Sequence, residues 1–336
     1  MAIDIDIFNI QPHKVSRNLC GYTVLLYGQP KTGKTTIASQ FEDALLCAFE
    51  AGYLTLPNVK AQPVNRWSEF RQIIKQLDSE QGHQTYKNVI VDTVDIAYDL
   101  CEKYICSANG VSSIGDLSYG KGYNLAKKEF DEALRKIPQM GYGLVMISHA
   151  QDKTFKDENG DEYQQIVPTL ANQPRLVVDR MSDIILYAHP VEDDEGRVHT
   201  IGYMRGTPRF VAGSRFKYTP DWIEFSYQNL VDAIGDAIDK QAIEFNGKYV
   251  TDEPTTAHNP SPDYDFDELM DTFKTLVSKL QEATGSAFAI NWAPRIMETV
   301  ERYLGKGKKV NDMTRDQVEQ LVLIVDDLTE QVGNGI

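Results

Sequence analysis

Gly28-Gln29-Pro30-Lys31-Thr32-Gly33-Lys34-Thr35 fits the pattern G-x-x-x-x-G-K-[ST] at every specified position. The spacing has a chemical reason. Glycines at 28 and 33 let the backbone curl until its N–H groups point inward at a phosphate. Lys34 then sets a point charge on the β/γ-phosphates, and the Thr35 hydroxyl is offered to Mg2+. A helix opening at Thr35 and continuing through Thr36 aims its positive end at the same anion. Gly28 to Thr36 is therefore the expected nucleotide cradle.

The flanks agree. Gly21–Tyr27 (Gly-Tyr-Thr-Val-Leu-Leu-Tyr) is a short β-rich apolar run and reads as a buried strand. Downstream, Ile37 and Phe41 stand four apart, on one face of a helix over Thr35–Phe41. Strand, loop and helix follow in the order a phosphate loop requires.

A chain of 336 residues suggests one large domain or a domain with an appendage. The apolar and charged fractions, 42% and 25%, are those of a globular protein. No apolar run is long enough to span a bilayer. The start, Met-Ala-Ile-Asp-Ile-Asp, lacks the basic-then-apolar layout of a signal peptide, so a cytoplasmic protein is expected, in the host cytoplasm if phage-encoded. Cysteines 20, 47, 101 and 106 fit neither a zinc ribbon nor a C-x-x-C motif, and no metal is assigned to them. A net charge of −15 argues against a surface coated in basic charge for duplex binding. Local basic and aromatic loops remain compatible with it.

Residues 1–20 read as an N-terminal arm. Residues 21–240 alternate strand-like and helix-like runs, the pattern of an α/β fold with a mostly parallel central sheet. Strands are predicted at 22–27, 44–49, 88–91, 143–148, 183–188 and 200–204, and further helices at 66–77, 123–137 and 174–180. Residues 241–265 form a linker, with Pro254, Pro260 and Pro262 among Thr, Asn and Asp. Residues 266–336 read as a small C-terminal helical module. Phe266, Leu269, Met270, Phe273, Leu276, Val277 and Leu280 share one helical face, and Thr314-Arg315-Asp316-Gln317 is a capping box before a last helix.

A phosphate loop needs a second anchor for Mg2+. Val89-Ile90-Val91-Asp92 is an apolar strand ending in an acid, which makes Asp92 that anchor and Asp95 its alternative. Hydrolysis also needs a group to orient or deprotonate water. Glu50 ends the run Leu45–Phe49, and strand carboxyl ends line the ligand crevice of such sheets. A solvated turn glutamate is the other reading. Ser148, His149 or Gln151, at the end of a further buried strand, offers a γ-phosphate sensor, or His149 is a structural histidine. Arg205, or else Arg215, is a candidate finger for a neighbour's γ-phosphate; a solvated basic face is the alternative.

These residues resemble the RecA-like ATPases, in particular the small phage RecA-like proteins of single-strand annealing and replication. Leu46-Cys47-Ala48-Phe49-Glu50-Ala51 is similar to the second core strand of that family, which ends in a catalytic glutamate, and Val89–Thr93 to its Walker B strand. Gly115-Asp116-Leu117-Ser118-Tyr119-Gly120-Lys121-Gly122 resembles the first DNA-binding loop. Met146–Gln151 falls where the family carries its polar sensor, with the second DNA loop following. Tyr203-Met204-Arg205-Gly206-Thr207 looks like the lysine-x-arginine finger strand of KaiC- and DnaB-type relatives, with Tyr203 at the lysine position. The resemblance covers about residues 20–235.

It implies a magnesium-dependent ATPase, stimulated by single-stranded DNA, working in phage recombination or replication as a ring or filament of identical subunits. Loop Asn109–Tyr123 carries Tyr119, Lys121 and Tyr123, aromatics alternating with a base as a single strand's bases and phosphates would want. Asp152–Thr169 reads as a β-hairpin about Asn159-Gly160 that carries Lys153, although its tip is acidic. The acidic remainder suits contact with a single-strand-binding or replication protein. A different class of function is an ATP-dependent switch that loads such a partner with little turnover.

Overall fold

The computed structural model describes residues 8–254 and 264–333. They fall in two compact units, Pro12–Pro260 and a second made of Ser261–Ile336 with Met1–Gln11.

The first unit opens with β1 (Val15–Ser16), β2 (Thr23–Gly28), α1 (Lys34–Ala38), β3 (Ala44–Ala48) and β4 (Ala61–Pro63). Next come α2 (Trp67–Leu77), α3 (Glu80–Thr85), β5 (Asn88–Asp92), α4 (Val94–Ala108) and α5 (Lys121–Gln139). The hairpin β6 (Gly143–Lys156) and β7 (Glu162–Pro168) precedes α6 (Asn172–Met181), β8 (Ile184–Glu192) and β9 (Val198–Tyr203). The unit closes with β10 (Gly213–Ser214), β11 (Trp222–Glu224), α7 (Tyr227–Ile243) and β12 (Val250–Thr251).

The main sheet runs β11-β9-β8-β2-β6-β5-β3-β4. From β8 to β4 the neighbours are parallel. β9 and β11 join antiparallel, β10 also pairs antiparallel with β8, and β7 with β6. The sheet is therefore mixed, and the expectation of a mostly parallel one holds for the run from β8 to the β4 edge, not for the β9 and β11 side. The apolar strands are buried on both faces, as crossover connections require. Leu25, Val89, Val91 and Met146 pack on α2, α4, α5 and α6 through Phe70, Ala97, Phe130 and Val178. Leu26, Ile90, Val145 and Ile147 face α1 and α7 through Ile37, Leu230 and Ile234.

Several boundaries differ from the sequence reading. The arm is part of the first unit from Pro12 onward. β1 pairs parallel with β12, and Leu19 and Cys20 are buried. Arg17 meets Asp239 and Asp252, and the Ser16 hydroxyl donates to the Glu253 carbonyl. The first half of the expected linker is thus structured; residues 255–263 of it lie outside the described residues. α1 has five residues where seven were expected, because the chain turns after Ala38. β6 continues eight residues past Ser148, since its outer half pairs with β7.

In the second unit, α8 (Phe266–Thr284), α9 (Phe288–Asn291), α10 (Ala293–Leu304) and α11 (Val318–Gly333) surround Leu269, Val300, Leu321, Ile324, Val325 and Leu328. Asp265 caps α8 by accepting the N–H groups of Asp267 and Glu268. The capping box forms through the Thr314 N–H and the Gln317 side chain, ahead of α11.

Candidate active site

Sheet order decides what meets at the carboxyl ends of the strands. β6 lies between β2 and β5, so His149 stands level with Gly28 on one side, and Ile147 with Asp92 on the other. β3 follows β5, with Ala48 level with Asp92 and Glu50 two residues on. The phosphate loop, Asp92, Glu50 and His149 therefore share one crevice, although the sequence spreads them over more than a hundred positions.

The loop is bent as its glycines suggested. Lys31 and Gly33 have φ of 67° and 88°, in the left-handed region. Gly28 is needed for another reason: a Cβ there would lie 2.3 Å from the carbonyl oxygen of Ala188 on β8. Lys34 is buried, 5% exposed. Its ammonium donates to the carbonyls of Gly28 (3.0 Å) and Gln29 (2.7 Å) and to Thr32 Oγ1 (3.4 Å). Burial lowers its pKa to about 8, against the opposing pull of Asp92, Glu50 and Asp95.

The Thr35 hydroxyl donates to Asp92 Oδ2 at 2.7 Å. Asp92 is 2% exposed, and its other oxygen, Oδ1, is buried with no hydrogen-bond partner among the described residues. Burial pushes this carboxyl up to about 6, with the Thr35 hydrogen bond pulling the other way. A hydroxyl beside a carboxylate with a spare oxygen is a donor set that fits Mg2+, which takes one or two carboxylates and completes its shell with phosphate and water. Among the described residues no group of three or more His, Cys, Asp or Glu side chains is arranged to hold a metal ion by itself.

Glu50 leans on the same strand end. The N–H groups of Phe49 and Glu50 both donate to the Asp92 carbonyl, at 2.8 and 3.3 Å. Its Oε1 lies 3.5 Å from His149 Nε2, and each side chain is about a third exposed. His149 Nδ1 is buried without a partner among the described residues. Asp95, the alternative Mg2+ ligand in the sequence reading, is placed differently. Its carboxylate accepts from the Ser148 hydroxyl (2.8 Å) and the His149 N–H (3.2 Å), and burial raises its pKa. Nothing in the sequence signalled that pairing, which depends on α4 crossing the end of β6.

The remaining candidates lie elsewhere. Arg205 follows β9, and its guanidinium is spent within its own chain, on the carbonyls of Lys217 and Thr219, with Asp221 at 3.5 Å. Arg215 is likewise tied to the Arg180 carbonyl and to Asp183. Neither is presented as a free finger. Tyr119 is fully exposed and holds φ at 56°, unusual for a bulky residue. Tyr123 is exposed in the first turns of α5, which begins at Lys121. Lys153 is hydrogen-bonded to Asn172 and lies 5.7 Å from the Phe155 ring, on a hairpin where Phe155 stacks with Tyr163.

Among the described residues no helix is long and apolar enough to cross a membrane. Residues 20–216 match the family described as AAA domain. Over 333 residues the chain is 31% identical to the SPbeta prophage-derived uncharacterized protein YorG of Bacillus subtilis (strain 168), with 97% of this chain and 98% of the relative covered. The family match begins just ahead of β2 and takes in every strand end that builds the crevice; the chain belongs to the AAA-domain family of P-loop ATPases.

Proposed function

We propose that the protein binds ATP with Mg2+, hydrolyses it, and handles single-stranded DNA in phage recombination or replication. The observation that carries the nucleotide half is the Thr35–Asp92 hydrogen bond, with an unpartnered Asp92 oxygen beside a bent phosphate loop. Thr35 and Asp92 would hold Mg2+, which when bound neutralises charge on the phosphate oxygens. Lys34 exchanges its loop carbonyls for the β/γ-phosphates. Glu50, steadied by His149, orients the attacking water and takes its proton. The DNA half is supported by the exposed Tyr119 and Tyr123 flanking Lys121, a pattern suited to base stacking beside phosphate. It is also in keeping with a relative named as prophage-derived.

Steady-state ATP hydrolysis with and without single-stranded DNA tests this reading, with Lys34→Ala as the blank. Turnover is expected to rise with DNA. Lys34→Ala should lose at least about 100-fold in turnover while the core stays folded, because the interaction lost in the transition state is electrostatic stabilisation of the transferred phosphoryl. Full activity in that variant would sink the site assignment. The separate C-terminal unit, with Ile290 and Met297 exposed on it, favours one other reading, a nucleotide-dependent switch that captures a partner protein. Tight ATP binding with turnover indifferent to DNA would point there.

A further inference from the structure

Asp95 stands in the first turn of α4, where an acid is ordinarily explained by the helix dipole. Its two oxygens do something more specific. One accepts the hydroxyl of Ser148 and the other the backbone N–H of His149, on successive residues of β6. Ser148 is fully buried, and along a strand its side chain shares the α4 face with Met146. His149 shares the opposite face with Ile147, on the side of α1, and its imidazole reaches Glu50. A carboxylate gripping both residues fixes the height and the rotation of the strand end at once.

We propose that Asp95 is a positioning residue for ATP hydrolysis: by clamping Ser148 and the His149 amide, it keeps the His149 imidazole against Glu50. The proposal rests on the ATPase reading above. The 3.5 Å separation of His149 and Glu50 leaves that contact sensitive to small movements of β6, and His149 Nδ1 has no partner among the described residues to hold the ring otherwise. Misplacement of a reacting group by about 1 Å is enough to cost about 100-fold in rate. The carboxylates that interact with the imidazole are those of Glu50, Asp92 and Asp95 itself.

The test uses the full-length protein. Asp95→Ala is expected to lower kcat by about 10- to 100-fold while KM for ATP stays within about threefold, since the nucleotide cradle is untouched. Asp95→Asn should restore most of the loss. Its Oδ1 can accept the His149 N–H, and its Nδ2 can donate to Ser148 Oγ, whose own proton then goes to the His149 carbonyl, already 3.1 Å away. In parallel, the imidazole resonances of His149 are followed by NMR. They should shift in Asp95→Ala and return in Asp95→Asn. If Asp95→Ala does not fold, Ser148→Ala removes one arm of the clamp and should shift the same resonances.

A kcat within threefold of wild type in Asp95→Ala, or unmoved His149 resonances, overturns the proposal. Equal losses in the alanine and asparagine variants also overturn it, because charge rather than placement would then be at work. Absence of turnover in the wild type would instead overturn the ATPase reading, and the His149 resonances would still decide whether Asp95 holds the ring.

Discussion

Asp92 is kept out of water at a cost that shows in pH dependence. Its carboxyl, raised by burial to about 6, binds a proton more readily in the folded chain than in the unfolded one. Between about pH 4 and 6 the folded state therefore holds more protons, so its stability falls as pH rises through that window. The shift of about two units corresponds to about 3 kcal/mol by the time both states are ionised. Asp92→Asn cannot titrate. The difference in melting temperature between wild type and Asp92→Asn, measured without nucleotide or metal, should move against the wild type from pH 4 to 6 and level off above about 7. A difference that stays flat across that range would show that Asp92 is not held in the raised state. This property was not legible in the sequence, which marked Asp92 as the acid ending an apolar strand. The burial comes from strands and loops far along the chain.

At the scale of elements, the phosphate loop and its strand were legible because motif and hydrophobic run coincide over Gly21–Thr35. α4 was missed, although Val94, Ala97, Tyr98, Cys101 and Ile105 bury at helical spacing. It starts two residues after Asp92, with no turn or breaker residue between strand and helix, and its Thr93 N-cap makes no capping hydrogen bond. The hairpin was legible from Asn159-Gly160; the full length of β6 was not, because pairing with β7 extends it without any break in the chain. The candidate DNA loop is anchored at one close approach. A Cβ on Gly122, in the first turn of α5, would meet the Ile114 carbonyl oxygen at 2.3 Å. Gly122→Ala should therefore push the 111–120 loop off the helix, costing about 1–3 kcal/mol of stability. If that loop carries single-stranded DNA, fluorescence anisotropy should show binding weakened at least about tenfold, with ATP affinity within about twofold. Unchanged DNA binding in a displaced loop would remove Tyr119 from the interface.

For the whole molecule, the division into two units makes a boundary test direct. Sequence composition placed the end of the core near residue 240, because Pro and polar residues crowd the stretch beyond it. The structure carries the first unit further, through β12 and its pairing with β1. A chain ending at 254 should keep the melting transition and ATP affinity of the core. One ending at 240 loses the β1–β12 pairing, the Ser16–Glu253 hydrogen bond and the Arg17–Asp252 ion pair. It should melt earlier, by a few degrees for each kcal/mol lost. Equal stability of the two chains would mean that the β1–β12 ribbon contributes nothing. DNA-stimulated hydrolysis that survives removal of the helical unit would assign the motor activity to the first unit, whereas loss of partner capture alone would favour the switch.

If copies of the chain associate, Arg205, held on the Lys217 and Thr219 carbonyls, would give this last question a concentration scale. An arginine that must first release those carbonyls reaches a neighbour's nucleotide only when the contact between copies repays the release, at about 1.5–3 kcal/mol for each charged hydrogen bond given up. Subunits bearing such a residue would be nearly idle when dilute and would switch on by mass action as they crowd together on a common strand. Turnover per molecule should then climb steeply with protein concentration, and the climb should vanish in Arg205→Ala. A flat profile would make Arg205 a clamp of its own loop and nothing more.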